Sequence, residues 1–454
     1  MPKLRRLAFA GLLAAAGFVL WQAAVYWRQL LRQPRLLPPS LPEELAAHQR
    51  LEMKAEVIAA ANLLGGIEAR RLPNGRQKLV LCAGRRNFRE PWARDFGFAS
   101  FGLIDLGQLQ AVKETLEVFL AFQSPAGQFP VKIHSTSVLN RYLHSLLDRE
   151  QPNHAPLRAK YKTAHNTISL DGNALLVIAF LNYVRHAHNE AFVRVHWPAL
   201  VRAINWIEAH ALEADGLLHQ ADFADWADSV ARRGKVLYPN VVYWKALHDL
   251  AEAAHRYGYP AAAERFERRA QLVKQSVNAH FWRDGLGYFV VSRQFDMLSS
   301  AGNLLAAAWG LASPEQSASI LAKMDGFRMA NPVPTQVTHR AYPARFIALE
   351  NRLSGIGHYH TSAAWLWLGG WHVIALTRLG RLARTEELLY RLARVVVRDG
   401  AVFEVYDPAG QVLSTRWYTA EAPLTWSAGV LTHAFHVYRQ AASYTIPTNP
   451  QTQF

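Results

Sequence analysis

Three times in this chain a stretch with helical apolar spacing gives way to Asp-Gly and a short apolar break. The breaks are "ADGLLHQADFADWADS" from Ala214, "RDGLGYFVVSRQFDMLSS" from Arg283 and "RDGAVFEVYDPAGQ" from Arg398. Each ends in a polar cluster, which makes a weak internal repeat. The helical stretches, at 42–63, 108–123, 171–186, 190–212, 240–257, 260–279, 361–379, 381–397 and 425–440, place apolar residues at i, i+3 and i+4. Helix hairpins in series wind into an open solenoid or close into a ring. Solenoid turns are short, whereas these breaks are long and aromatic. The pattern therefore favours an all-α fold, a closed toroid of about twelve helices with its long loops at one mouth. A rigid ring with loops at one end is where a concave site is expected.

Composition narrows the classes. Half of the 454 residues are hydrophobic, so the chain can bury a large core and is not of disordered composition. Cys82 is the single cysteine, so no internal disulfide forms. The formal charge is +15, of which residues 1–36 supply six basic side chains and no acids. The remaining excess is spread along the chain. There is no basic tract, zinc-finger spacing or aromatic-and-basic repeat, so nucleic acid is not an expected partner.

Leu7 to Trp27 is a run of 21 residues without charge. At ~1.5 Å per residue it is long enough to cross a ~30 Å hydrocarbon core. Trp21, Tyr26 and Trp27 suit an interface. A cleaved signal peptide is the rival, but the apolar run continues past the small residues at Ala14–Ala16. The expected layout is a basic N-terminus (1–6), an N-terminal transmembrane helix (7–27), a Pro-rich linker (28–41), the barrel (42–445) and a tail (446–454). Three basic residues flank each side of the span, and the amino terminus tilts the balance towards an extracytoplasmic domain.

The long loops concentrate carboxylates and aromatic side chains. The first, "FREPWARDFGFASFGL", holds Trp92, Arg94 and Asp95. Asp171 follows in "HNTISLDGNALL", then Asp222, Asp225, Trp226 and Asp228 in "DFADWADS". Tyr359 lies in "GHYHTSAAW", Glu404 in "DGAVFEVYDPAG", and Tyr418 and Trp426 in "RWYTAEAPLTWSAG". Aromatic faces stack on sugar C–H faces, carboxylate and arginine bind hydroxyls, and two further carboxylates can cleave a glycosidic bond. Each also has a structural reading. Asp171 can be a helix N-cap, Arg94 and Asp95 an ion pair, and any of the three aspartates a turn residue. Glu404 can sit on the wet face of a strand. His358 and His360 lack a third ligand at a metal-site spacing, and no HExxH occurs, so no metal is expected. Nucleophile-elbow, P-loop and dinucleotide fingerprints are absent, and no organic cofactor is implied.

The order of these pieces from about residue 88 to 432 resembles the alkaline/neutral invertases, within the six-hairpin (α/α)6-barrel glycosidases that include glucoamylases, trehalases and glycogen-debranching glucosidases. The resemblance is carried by "WARDFGFASFGLI", "FQSPAGQFPVKI", "LDGNALLVIAFLNY", "SSAGNLLAAAWGLAS", "YHTSAAWLWLGGWHVIAL", "FEVYDPAGQ" and "TWSAG". It implies Glu404 as general base and Asp228 as general acid, with Asp225 the rival acid. It implies Arg94, Asp95 and Asp171 around the sugar. The loop aromatics Trp92, Trp226, Tyr359, Tyr418 and Trp426 are the further candidates to line the sugar site, and Tyr406, Tyr418 or Trp426 to donate hydrogen bonds to the base. The chain departs from the invertases after the acid, where Asp228 is followed by Ser229 and Val230 rather than paired arginines. The expected activity is that of an inverting, exo-acting glycoside hydrolase on an α-glucoside: sucrose, trehalose, a glucosylated solute or an α-glucan end. Two other readings fit the same fold, a non-catalytic sugar-binding or scaffold protein and a lyase or epimerase.

Overall fold

The structure, a computed structural model, describes residues 47–445 apart from residue 148. The apolar run 7–27, the linker and the tail lie outside the described residues. Among the described residues no helix is long and apolar enough to cross a membrane.

Among the described residues twelve helices make the ring. They are α1 (Ala47–Leu64), α2 (Ala93–Asp105), α3 (Leu109–Ala121), α4 (Leu170–Ala187), α5 (Glu190–Ala211), α6 (Leu237–Tyr257), α7 (Pro260–Phe281), α8 (Ser300–Trp309), α9 (Pro314–Gly326), α10 (Leu366–Arg378), α11 (Leu382–Asp399) and α12 (Thr425–Thr445). The even-numbered helices pack side by side in the order α2, α4, α6, α8, α10, α12, and α12 returns to α2, closing the ring. Each odd-numbered helix packs outside, and α1 completes the sixth hairpin with α12.

The sequence dictates which helices face inward. Every residue of α8, the stretch Leu366–Thr377 of α10 and the stretch Leu170–Val184 of α4 are buried. A helix apolar on all sides is stable only when surrounded. The outer α11 instead buries one stripe, including Thr385, Leu388, Leu392 and Val396, and turns its arginines and glutamates outward. Its end is set by Gly400, whose left-handed backbone (φ 70°) closes the last turn and turns the chain into the next loop.

Connections from an inner to the next outer helix are short, as at 106–108, 188–189 and 258–259. Those from outer to inner are long, at 65–92, 122–169, 212–236, 282–299, 327–365 and 400–424. Antiparallel hairpins therefore put all six long connections at the mouth, above the N-termini of the inner helices. Five short antiparallel strand pairs brace them, among them His219–Gln220 with Gly234–Lys235 and Ala364–Trp365 with Val405–Tyr406.

One expectation is corrected here. The segment read as the first loop is largely the inner helix α2. Its two glycines weaken the helical pattern but are needed for packing. A Cβ on Gly97 would stand 2.6 Å from Leu175 Cβ, and one on Gly102 would meet the carbonyl of Gly429. Close approach of α2 to α4 and α12 outweighs the propensity cost of glycine.

The lumen is filled. Phe98 on α2 and Trp309 on α8, which stand opposite each other in the ring, have ring centroids 6.5 Å apart. Trp367 and Trp426 add to the stack, 5.1 and 5.4 Å from Phe98. The mouth thus opens onto a floor of aromatic side chains, not a channel.

Candidate active site

Above that floor lies a cavity of about 340 Å³ whose lining includes Trp92, Arg94, Asp95, Trp226, Asp228, Tyr359, Glu404, Tyr418 and Trp426. The fold thus gathers nine of the ten residues assigned to catalysis or to the sugar, the rival acid Asp225 aside, from five segments around one space. The tenth, Asp171, sits behind the wall and supports it.

Glu404 is buried, as are Val402, Val405 and Tyr406, while Phe403 is half-buried, so the carboxylate does not stand on a wet strand face. Pairing of Val405 with Trp365 fixes the segment. The Glu404 N–H donates to the Glu421 carbonyl at 2.9 Å, and the Glu421 N–H donates back to Glu404 Oε2 at 2.9 Å. Tyr418 donates to Oε2 at 2.5 Å, and Tyr359 donates to Oε1. Three donors hold both oxygens in place. Burial nevertheless dominates and pushes the carboxyl up to about 7, against the lowering effect of those donors. Both tyrosines titrate well above their ordinary range because they are buried beside Glu404, so they remain donors. Tyr406 donates to Asp399 at 3.0 Å, not to Glu404.

Asp228 comes from the tip of the 212–236 connection. Its neighbour Ser229 is pinned, its carbonyl accepting from the Ala348 N–H at 2.8 Å. The Asp228 carboxyl is 44% exposed, towards the cavity, and among the described residues none donates a hydrogen bond to it. Burial in the cleft raises it to about 6, while Arg94 and His165 pull the other way. Asp225 is differently placed. It is buried, paired with Arg232, and accepts from Gln220 at 3.0 Å and the Ala227 N–H at 2.9 Å. Its oxygens are committed to the protein and it does not line the cavity. Asp222 pairs with Arg233 at the surface.

Arg94 does not pair with Asp95 as the sequence allowed. Its guanidinium makes a forked contact with Asp171, Nε to Oδ2 at 2.6 Å and Nη2 to Oδ1 at 3.2 Å. Asp171 also accepts from Tyr238 at 3.1 Å and from Ser169. Ser169, not Asp171, is the N-cap residue of α4. Arg94 holds Asp171 below the usual carboxylate range despite its burial. Asp95 is left to the cavity, and burial pushes it up to about 7.

Two contributors, Glu421 and Trp365, escaped the sequence reading, and a third, His360, entered it only as a metal candidate. Glu421 accepts from the consecutive N–H groups of Arg85, Arg86 and Asn87 at 2.9, 2.8 and 2.5 Å, tying the 65–92 and 400–424 connections together. His360 accepts at Nδ1 from the Ser229 N–H at 3.4 Å, lies 2.9 Å from the Ser229 hydroxyl, and is kept neutral by burial. Trp365, half of the strand pair beneath Glu404, lines the wall. The trace of Glu421 in the sequence is the acid in "YTAEAPLTW".

A paired set of carboxylates, one immobilised and one free, in an aromatic blind pocket is an arrangement suited to sugars. The family model of the bacterial alpha-L-rhamnosidase six-hairpin glycosidase domain matches residues 129–327. Over residues 129–327 by sequence model, and over most of its length by fold, the chain resembles the six-hairpin glycosidases. Among solved structures, the six-hairpin domain is similar to a rhamnosidase from Klebsiella oxytoca with rhamnose bound. There the identity is 16% and the TM-score 0.63, over 89% of this chain and 66% of that one, so the chain spans just under two thirds of that protein. It is also similar to a GH63 mannosylglycerate hydrolase from Thermus thermophilus, at 14% identity and TM-score 0.60, over 84% of this chain and 99% of that one. A glycosidase variant in complex with glucose gives 14% identity and TM-score 0.62, over 87% and 99% of the two chains. At these identities the likeness is one of fold. A search of curated proteins returns no match. The likeness to alkaline/neutral invertases rests on the sequence motifs alone. The matched stretch contains Asp171 and Asp228, and Glu404 lies beyond it.

Proposed function

We propose that the chain is an inverting, exo-acting glycoside hydrolase that removes a terminal sugar from an α-glucoside, with Asp228 as general acid and Glu404 as general base. The observation that carries this reading is the convergence of these two carboxyls, from the first and last of the long connections that follow α4, on one blind cavity. The filled lumen supports exo action, because a sugar chain cannot thread past the aromatic floor and only its end can enter.

The roles follow from the surroundings. A base must be held still and must present a lone pair, and three donors orient Glu404. An acid must reach the glycosidic oxygen and hand it a proton, and the Asp228 carboxyl stands open to the cavity with no hydrogen-bond donor among the described residues to hold it. In an inverting step the base takes a proton from water as its oxygen attacks the anomeric carbon. The C–O bond to the leaving group breaks, and the acid protonates that oxygen. Arg94 and Asp95 would hold hydroxyls of the cleaved sugar, with Trp92, Trp226 and Trp426 as walls. No cofactor enters this scheme. We also place the domain outside the cytoplasm on a Leu7–Trp27 anchor, a reading of the uncharged run that alkaline extraction and protease accessibility test.

Hydrolysis of an α-L-rhamnoside is the second reading, favoured by the family match. The test is to incubate the full chain with α-glucosides, α-L-rhamnosides and mannosylglycerate and follow the anomers by NMR. First appearance of the β-anomer from an α-glucoside supports inversion, and loss of turnover in both Glu404→Gln and Asp228→Asn supports the pair. Binding without cleavage would favour a sugar-binding protein.

A further inference from the structure

The rim of the cavity is unusually apolar for a sugar site. Three segments that line the cavity also carry large apolar side chains outward. The short helix Val138–Leu146 contributes Arg141 to the lining, while Leu139, Leu143 and Leu147 are 69%, 47% and 40% exposed. These three are four residues apart and so form one stripe, and Arg141 lies off it. The short helix Leu349–Leu353 lends Glu350 and Asn351 to the lining and exposes Leu349 and Leu353. Trp417 lines the cavity and is 62% exposed. Of the six most exposed large apolar side chains among the described residues, five stand on these segments, and the sixth is Val195. Scattered exposed leucines need no explanation, but a ring of them at a cavity mouth does.

Basic groups are interleaved with this rim. Arg345, Arg352 and Arg416 are exposed, Arg352 next to Leu353 and Arg416 with its guanidinium 5.1 Å from the Trp417 ring centroid. Glu350, an acid on the same rim, lies 3.4 Å from His165. Leucine, tryptophan and arginine in alternation match a bilayer interface, where apolar groups enter the acyl boundary and cations meet anionic headgroups.

The chain outside the described residues fits this occupant. Nineteen residues, 28–46, separate the uncharged run from α1. Extended, they reach about 60 Å, about twice the ~27 Å length of α1. A chain anchored by residues 7–27 therefore has tether enough to lay its mouth on the same bilayer.

We infer that the mouth docks on an anionic membrane surface and that the substrate is a glycan carried on a lipid, presented to the cavity at the headgroup level. The docking stands on the rim itself; the substrate class rests on the hydrolase reading above.

The test uses the full chain with single cysteines at Leu143, Leu353 or Val195, labelled with a polarity-sensitive maleimide. Cys82 is buried and its thiol is pushed up to about 12, so it stays unlabelled. Val195 is the control, since it lies near the start of α5, at the end of the ring away from the mouth. In vesicles of phosphatidylcholine and phosphatidylglycerol, the labels at 143 and 353 should shift to the blue and be quenched from the acyl chains, while that at 195 stays aqueous. All three labels staying aqueous overturns docking. A blue shift without vesicles that grows with protein concentration also overturns it, in favour of a second copy. In parallel, Leu143→Glu/Leu353→Glu should lower the ratio of hydrolysis of a vesicle-borne glucolipid to that of a soluble glucoside by about tenfold or more. An unchanged ratio overturns the lipid-linked substrate. Cleavage of neither sugar overturns the hydrolase reading and the substrate class with it, while the labels still decide docking.

Discussion

Arg94 and Asp171, 77 residues apart, share two hydrogen bonds at 2.6 and 3.2 Å behind the cavity wall, with the Asp171 side chain fully buried. The guanidinium that lines the cavity is therefore fixed from behind. Asp171→Asn leaves a largely buried arginine without its counter-charge. The expected loss is about 3–5 kcal/mol of stability, read from the denaturant midpoint at neutral pH. A midpoint equal to the parent would refute the supporting role.

The division of labour between Asp228 and Glu404 is separable by leaving group. An acid is dispensable when the leaving group needs no proton. Asp228→Asn should lose about 10²–10⁴-fold on an alkyl glucoside and recover most activity on a glucosyl fluoride. Glu404→Gln should lose as much on both. The reverse pattern would exchange the roles.

The pH profile follows from the shared proton. Below about 6 both carboxyls are protonated and no base is left; above about 7 both are ionised and no acid is left. A bell with its maximum between those values is expected for kcat/KM, its limbs belonging to the pair. Tyr418→Phe removes a donor to the ionised form of Glu404, so the pair's limbs should move upward. A profile that does not move would show that the hydroxyl has no hold on the base.

Stability should carry the same signature with a definite sign. The ordinary value for Glu404 is 4.5 and the folded value is about 7. Between them the folded protein keeps a proton that the unfolded chain releases. Stability therefore falls as pH rises through this window, by up to about 3 kcal/mol from this group. Glu404→Gln should flatten the decline and be more stable than the parent at pH ~8. An equally steep decline in the variant would contradict the burial argument.

Asp225 offers the contrast. It neutralises the buried Arg232 and does not line the cavity. Asp225→Asn should lower the melting temperature while folded enzyme keeps turnover within a few-fold. A stable but inactive Asp225→Asn would make it the acid instead.

Much of the ring was legible because periodicity is local. The stretches 190–212, 260–279 and 381–397 coincide closely with α5, α7 and α11, whose one-sided apolar stripes are visible at i, i+3 and i+4. Helix α2 was hidden by Gly97 and Gly102, which look like breaks until α4 and α12 are seen pressed against them. Helices α8 and α9 were likewise outside the periodic stretches. Helix α8 is only ten residues long and buried on every side, so it has neither the length nor the polar face to show a period.

The sequence alone determined the helix hairpins, the clustering of long aromatic loops and the residue types at the mouth, since each depends on neighbours a few positions apart. Only the tertiary structure decided which carboxylates are free. Asp225 and Asp228 differ by three positions and are chemically identical, yet Arg232 occupies one and the cavity receives the other. Glu404 finds its donors 45, 14 and 17 residues away, at Tyr359, Tyr418 and Glu421. Burial and charge pairing act through space, and that distance is set by the closed ring.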